Sequence, residues 1–162
     1  MGGLMGMVAR RVGLFLLAGT IGSLVASTTE AAACRFDMPA DLGATPGRWL
    51  GACPDGTADG LGVIRAGTAE PYAFFVGRMQ GGRPADGLLI LREGGWMVAV
   101  RFDAGLHVVS SDGLKPEDDD RVFQQAHAAA LETAARFRQE GNKASADYYT
   151  LLGRRITEGR PE

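Results

Sequence analysis

Chemically reactive side chains are scarce in this chain of 162 residues, which has two cysteines and two histidines. The cysteines do not form a C-x-x-C pair, and no second histidine or cysteine stands at ligand spacing from His127, so the usual structural zinc arrangements are excluded. An excess of positive charge is also missing. The 17 lysines and arginines stand against 19 acids, a formal net charge of −2, so no nucleic-acid partner is expected. No G-K-[ST] phosphate loop occurs, and no cofactor is expected. The sequence "DGTADG" begins like a calcium loop, with Asp55, Thr57, Asp59 and Gly60 at ligand-type positions. The bidentate glutamate that should close such a loop is replaced by Ala66, and the flanks read as strands, so a tight turn is the better reading.

What the chain does have begins at its N-terminus. Arg10 and Arg11 precede an apolar stretch that ends before Ala31, Ala32 and Ala33. A positive region, an apolar region and small residues before a cleavage point make residues 1–33 a secretory signal peptide, with Cys34 the first mature residue. Residues 12–29 are free of charge and, at about 18 residues, just long enough for the alternative of an uncleaved membrane anchor. Lipidation of Cys34 fits poorly, because Glu30 separates it from the apolar run. The expected location is therefore periplasmic or secreted. In such a compartment Cys34 and Cys53 pair as a disulfide, tying the arm of residues 34–47 to the first strand.

From residue 48 to 111, short β-type runs alternate with glycine-rich turns: "RWLGAC", "GVIRA", "YAFFVGRM", "LLILRE", "WMVAVRF" and "LHVVSS". Gly94 and Gly95 are expected to make a two-residue hairpin turn. Trp96, Val98, Val100 and Phe102 alternate onto one face, the expected core face. Residues 112–116 form a linker, after which 117–158 change to helical spacing. Phe123, Ala126, His127, Ala130, Leu131, Ala134 and Phe137 make one stripe, and Glu117, Asp118, Asp119 and Asp120 suit a helix start. Gly141 breaks this helix. A second helix, from about Lys143 to Thr157, puts Ala144, Tyr148, Leu151, Leu152 and Ile156 along one side. The expected fold is α+β, an antiparallel β-meander followed by a helical hairpin.

The first repeat-like unit spaces Trp49, Gly51, Gly56, Gly60 and Gly62 as aromatic-x-G, G, G-x-G. This resembles the MORN repeat. Phe75, Gly77 and Gly82 repeat the first spacings, whereas Gly87 is displaced by one and Leu89 replaces the last glycine. "WMVAVRFDAG" keeps little more than its two ends. The resemblance covers about Arg48 to Gly105 and implies stacked hairpins in an extended sheet that serves as an interaction or scaffold surface. So short a sheet needs cover at an edge, which the helical hairpin would supply.

Function is therefore expected in surfaces: an exported, non-enzymatic module that binds a protein partner or itself. Tyr149, Arg154 and Arg155 are the candidate partner-binding residues, with contact to a membrane surface a weaker alternative. Tyr148 is assigned to the core and Tyr149 to the outside. The competing reading is a small hydrolase-like enzyme using His107 or His127 with an acid such as Asp103. His127 is read as a hydrogen-bonded packing residue, and His107 as a half-exposed strand residue.

Overall fold

Between Gly47 and Ala99 the apolar runs pair with their neighbours in chain order, as short connections favour. A computed structural model describes Gly2 and residues 33–159. Its main sheet is five-stranded and antiparallel, in the order β1 (Gly47–Trp49), β2 (Gly60–Ala66), β3 (Ala73–Gln80), β4 (Arg83–Ile90), β5 (Trp96–Ala99). Strands β6 (Arg101–Phe102) and β7 (Val108–Val109) form a separate pair, followed by α1 (Pro116–Gln139) and α2 (Lys143–Glu158). The architecture is α+β, a β-meander with a C-terminal helical hairpin. The expected leader, residues 1–33, lies outside the described residues except for Gly2 and Ala33, and the alternative anchor, residues 12–29, lies wholly outside them. No helix among the described residues is long and apolar enough to cross a membrane.

The sheet is buried on both faces. Val63, Phe74, Val76 and Leu88 pack beneath the helices. Ile64, Phe75, Met79 and Leu89 point the other way, onto Leu42, Met38, Phe102 and Val108. The helical hairpin thus covers a face of the sheet rather than an edge, because β2 to β4 are apolar on both sides and neither side can be left in water. "WMVAVRF" also departs from expectation. Its pairing changes at Val100, whose N–H donates to Val109 O (3.1 Å). Val98 and Val100 join the helix-side core, Phe102 joins the opposite core, and Trp96 stays 37% exposed.

The N-terminal arm is well held. Cys34 and Cys53 are disulfide-bonded, with Cα atoms 5.9 Å apart. Arg35 N donates to Gly56 O (3.0 Å), Asp37 N to Gly82 O (2.7 Å) and Ala58 N to Arg35 O (3.0 Å). These bonds run the arm across the turns and bring Phe36, Met38 and Leu42 over the lower core.

The signature glycines serve two different physical needs. Gly56, Gly60 and Gly82 have φ of 73°, 79° and 83°, left-handed values that disfavour any Cβ. Gly51, Gly62 and Gly77 supply space. Gly62 pairs with Gly77, and Gly77 with Gly87, so a glycine row crosses β2, β3 and β4. The Trp49 ring lies over Gly51 and Gly62, where added Cβ atoms would come within 2.1 and 2.6 Å of it. Its Nε1 donates to Ala52 O (2.7 Å). The two-residue turn falls at Gly81 and Gly82, between Gln80 and Arg83. Gly94 and Gly95 do have positive φ (93° and 91°), but the Ile90 to Trp96 pairing leaves the longer loop Leu91–Gly95 between β4 and β5.

Candidate functional site

The helix pair is built on small residues. Ala126, Ala129, Ala130 and Ala134 of α1 are buried, as are Ala146 and Gly153 of α2. A Cβ on Gly153 would lie 3.4 Å from both His127 Nδ1 and Leu131 Cδ2, so its absence permits the close approach of the helices. Asn142 caps α2 by accepting from Ser145 N (3.0 Å). This close approach sets the rotation of α2. Ala146, Tyr149, Leu152, Gly153 and Ile156 face inward, whereas Ala144, Tyr148 and Leu151 are exposed.

Two assignments are thereby reversed. Tyr149 is 3% exposed and stacks on Phe137, with ring centres 5.5 Å apart. Burial, the first cause, pushes its hydroxyl pKa up to about 12. Tyr148 is 39% exposed and meets Tyr149 edge-on and Phe74 at 6.2 Å. The exposed tyrosine of the pair is therefore Tyr148. Leu131, expected in the α1 core, is exposed, and Val122, Ala129 and Thr133 take buried positions instead.

Beside α2 this rotation opens a groove of about 700 Å³. Tyr72 and Phe74 of the β3 side, Ile90 and Trp96 at the ends of β4 and β5, and Tyr148 and Leu151 of α2 line it. Arg92, Arg155 and Glu70 also contribute. A second depression of about 240 Å³ shares Glu70, Tyr72 and Tyr148 with the first and adds Arg65, Ser145 and Tyr149. The Arg65 guanidinium sits 4.7 Å from the Tyr72 ring centre. Among the described residues, three of the five exposed large apolar ones, Trp96, Tyr148 and Leu151, gather here.

No family model, curated protein or solved structure matches this chain. The functional reading therefore rests on the groove and on the groups around it.

Of the residues expected to bind a partner, Arg155 lines the larger depression and Tyr149 the smaller. Arg154 borders a separate shallow depression with Asp147, Thr150 and Leu151. Tyr72, Trp96 and Arg65 were not expected to lie near one another. Their strand alternation was visible, but not the rotation of α2 that leaves them partly uncovered.

The histidines are engaged locally. His127 Nδ1 lies 3.0 Å from Gly153 O and 3.1 Å from Thr157 Oγ1, while the Thr157 hydroxyl also donates to Gly153 O (3.2 Å). With Nδ1–H donating toward the carbonyl, the threonine proton is directed to that carbonyl and not to the imidazole. His107 bonds Asp41 Oδ1 through Nδ1 (2.9 Å), and Asp41 Oδ2 accepts from Val108 N (2.6 Å). Asp103 accepts from the backbone N–H of His107 (2.8 Å), not from its ring. In "DGTADG", Asp55 adopts φ of 51° and Asp59 accepts from Gly81 N (3.0 Å), as turn residues do. Asp86 is the buried charge of the domain, 2% exposed. It is held by Arg78 (3.0 Å) and by Arg121, which ties α1 to β4.

The Asp41–His107 pair fixes a pH window. Hydrogen bonding and the charge of Asp41 raise the His107 pKa above its ordinary 6.5. Hydrogen bonds from His107 and Val108 lower that of Asp41 below 3.8. Stability from a raised histidine is complete below its unfolded pKa and is lost as pH rises through the folded one. Stability from a depressed aspartate is complete above its unfolded pKa and is lost as pH falls through the folded one. The pair therefore contributes fully between 3.8 and 6.5. His107→Gln is expected to flatten the decline in urea midpoint above this window. An unchanged decline would show that the pair does not link the arm to the β6–β7 turn.

Proposed function

We propose that this chain is an exported, non-enzymatic interaction module that binds a protein partner through the groove beside α2. The convergence of Trp96, Tyr148 and Leu151 on that groove carries the reading. Exposed apolar side chains are ordinarily scattered, and their gathering with tyrosine and arginine matches the composition of binding hot spots. The local hydrogen bonding of both histidine rings supports a binding role over the hydrolase alternative. The disulfide supports export, since such bonds persist in oxidising compartments, and the leader pattern of residues 1–33 agrees with it. The glycine row beneath Trp49 and Phe75 supports a MORN-like origin for the sheet.

Photo-crosslinking in the host cell tests the reading. A crosslinking amino acid at Leu151 is expected to give a discrete adduct with another protein. The same group at Glu132, exposed on α1, is expected to give none. Absence of an adduct at Leu151, or equal adducts at both positions, would remove the groove as the binding surface.

A further inference from the structure

We infer that the groove selects an acidic, apolar segment of its protein partner, bound in extended form. The inference rests on the proposed binding role and goes further by specifying the chemistry of the occupant. Its basis is the placement of unpaired arginines. Arg78, Arg83 and Arg121 each have a carboxylate partner. The nine other arginines among the described residues form no ion pair, and three of them, Arg65, Arg92 and Arg155, line the two depressions. Glu70 is the one acid among the lining residues of both. The track is thus locally positive in a chain whose formal net charge is −2.

The register adds a second observation. Arg48 of β1 stands directly opposite Arg65 of β2. Like charges directly opposed across strands are destabilising, and an anion placed between them reverses the sign of that interaction. Stacking on Tyr72 restrains the Arg65 guanidinium, so its planar fork is positioned to receive a carboxylate at reduced entropic cost.

Two adjoining depressions favour a chain over a compact ligand. They share Glu70, Tyr72 and Tyr148, and each carries its own arginines, Arg92 and Arg155 in the larger and Arg65 in the smaller. An extended peptide projects side chains alternately, so leucine or phenylalanine side chains can enter between the aromatic rings while flanking carboxylates reach Arg155, Arg92 and Arg65.

Trp96 reports on this event, because the other tryptophan, Trp49, is buried on the opposite face. Its fluorescence is titrated with short end-blocked peptides that alternate glutamate with leucine and phenylalanine, and with matched glutamine and lysine peptides. The glutamate peptide is expected to bind tightest and to weaken as salt is added. Arg155→Glu and Arg92→Glu, both at exposed positions, are each expected to weaken it by about tenfold while leaving the melting curve unchanged. Equal binding of the glutamine peptide, or acidic-peptide binding untouched by both charge reversals, would overturn the inference. A Trp96 response to anionic phospholipid vesicles but to no peptide, or to protein concentration alone, would overturn it in favour of a membrane or a second copy. An adduct at Leu151 combined with no preference for glutamate would leave the binding role standing and remove only its acidic specificity.

Discussion

Gly77→Ala is expected to cost about 3 kcal/mol, although the same change helps where the backbone conformation and the space allow it. Gly77 lies mid-strand between Gly62 and Gly87. A Cβ built there would come within 2.3 Å of Asp86 O and 2.5 Å of Gly87 Cα. Both obstacles are backbone, so no side chain can rotate away, and β3 and β4 would have to separate locally. Separation would also disturb Asp86, whose carboxylate holds Arg78 and Arg121. Gly60→Ala provides the contrast. Nothing lies within 4 Å of its added Cβ, and its φ of 79° is the whole penalty, of about 1–2 kcal/mol. Urea unfolding of the two variants should rank Gly77 well above Gly60. Equal stability of Gly77→Ala and the unaltered protein would mean that the glycine row is not packed as described.

That contrast also marks what could be read in the sequence. The alternating β-type runs indicated most of the strands, and three of the spaced glycines, Gly56, Gly60 and Gly82, adopt left-handed conformations. The spacing did not separate turn glycines from packing glycines, because both look the same without knowledge of register. Gly62 illustrates the difference: its φ is not left-handed, and what it provides is room for Trp49. Gly87, which breaks the repeat spacing, falls directly opposite Gly77, because a bulge in β4 at Ala85, opposite Arg78 and Met79, shifts the pairing by one residue. The Arg83–Gly87 start of β4 was missed for the same reason. "RPADG" has the composition of a turn, yet the bulge accommodates Pro84 and the pairing of Arg78 with Asp86 offsets the burial of charge.

The groove was less legible than the fold. Tyr148 and Tyr149 are adjacent, and the chain offers Leu151 and Leu152 as well, so two helical stripes about one position apart are almost equally apolar. The small side of α2, Ala146 and Gly153, decides between them by allowing contact with the alanines of α1. Small residues contribute little to an apolar pattern, so a reading weighted toward large side chains placed Leu152 and Ile156 inward correctly but added Ala144, Tyr148 and Leu151, which are exposed. Arg155 was identified because it is charged under either rotation. Arg65 and Trp96 acquire their place in the groove only through the tertiary contact.

Removing the disulfide, by Cys34→Ser together with Cys53→Ser, is expected to lower stability by about 3 kcal/mol. The bond closes a loop of sequence separation 19, and the loss comes chiefly from the greater freedom of the unfolded chain. The native state should also respond unevenly. The arm's bonds from Arg35 N, Asp37 N and Ala58 N lie near the bridge and should exchange hydrogen faster in the variant. Phe36, Met38 and Leu42 would then uncover the lower core, which contains Phe75 and Leu89. Val63, Leu88 and the α1–α2 contact belong to the other face and should keep their relative protection. Thiol titration of denatured, unreduced native protein supplies the preceding check and should find essentially no free thiol. Two free thiols per chain, or uniform loss of protection over both cores, would contradict a staple that acts through the arm.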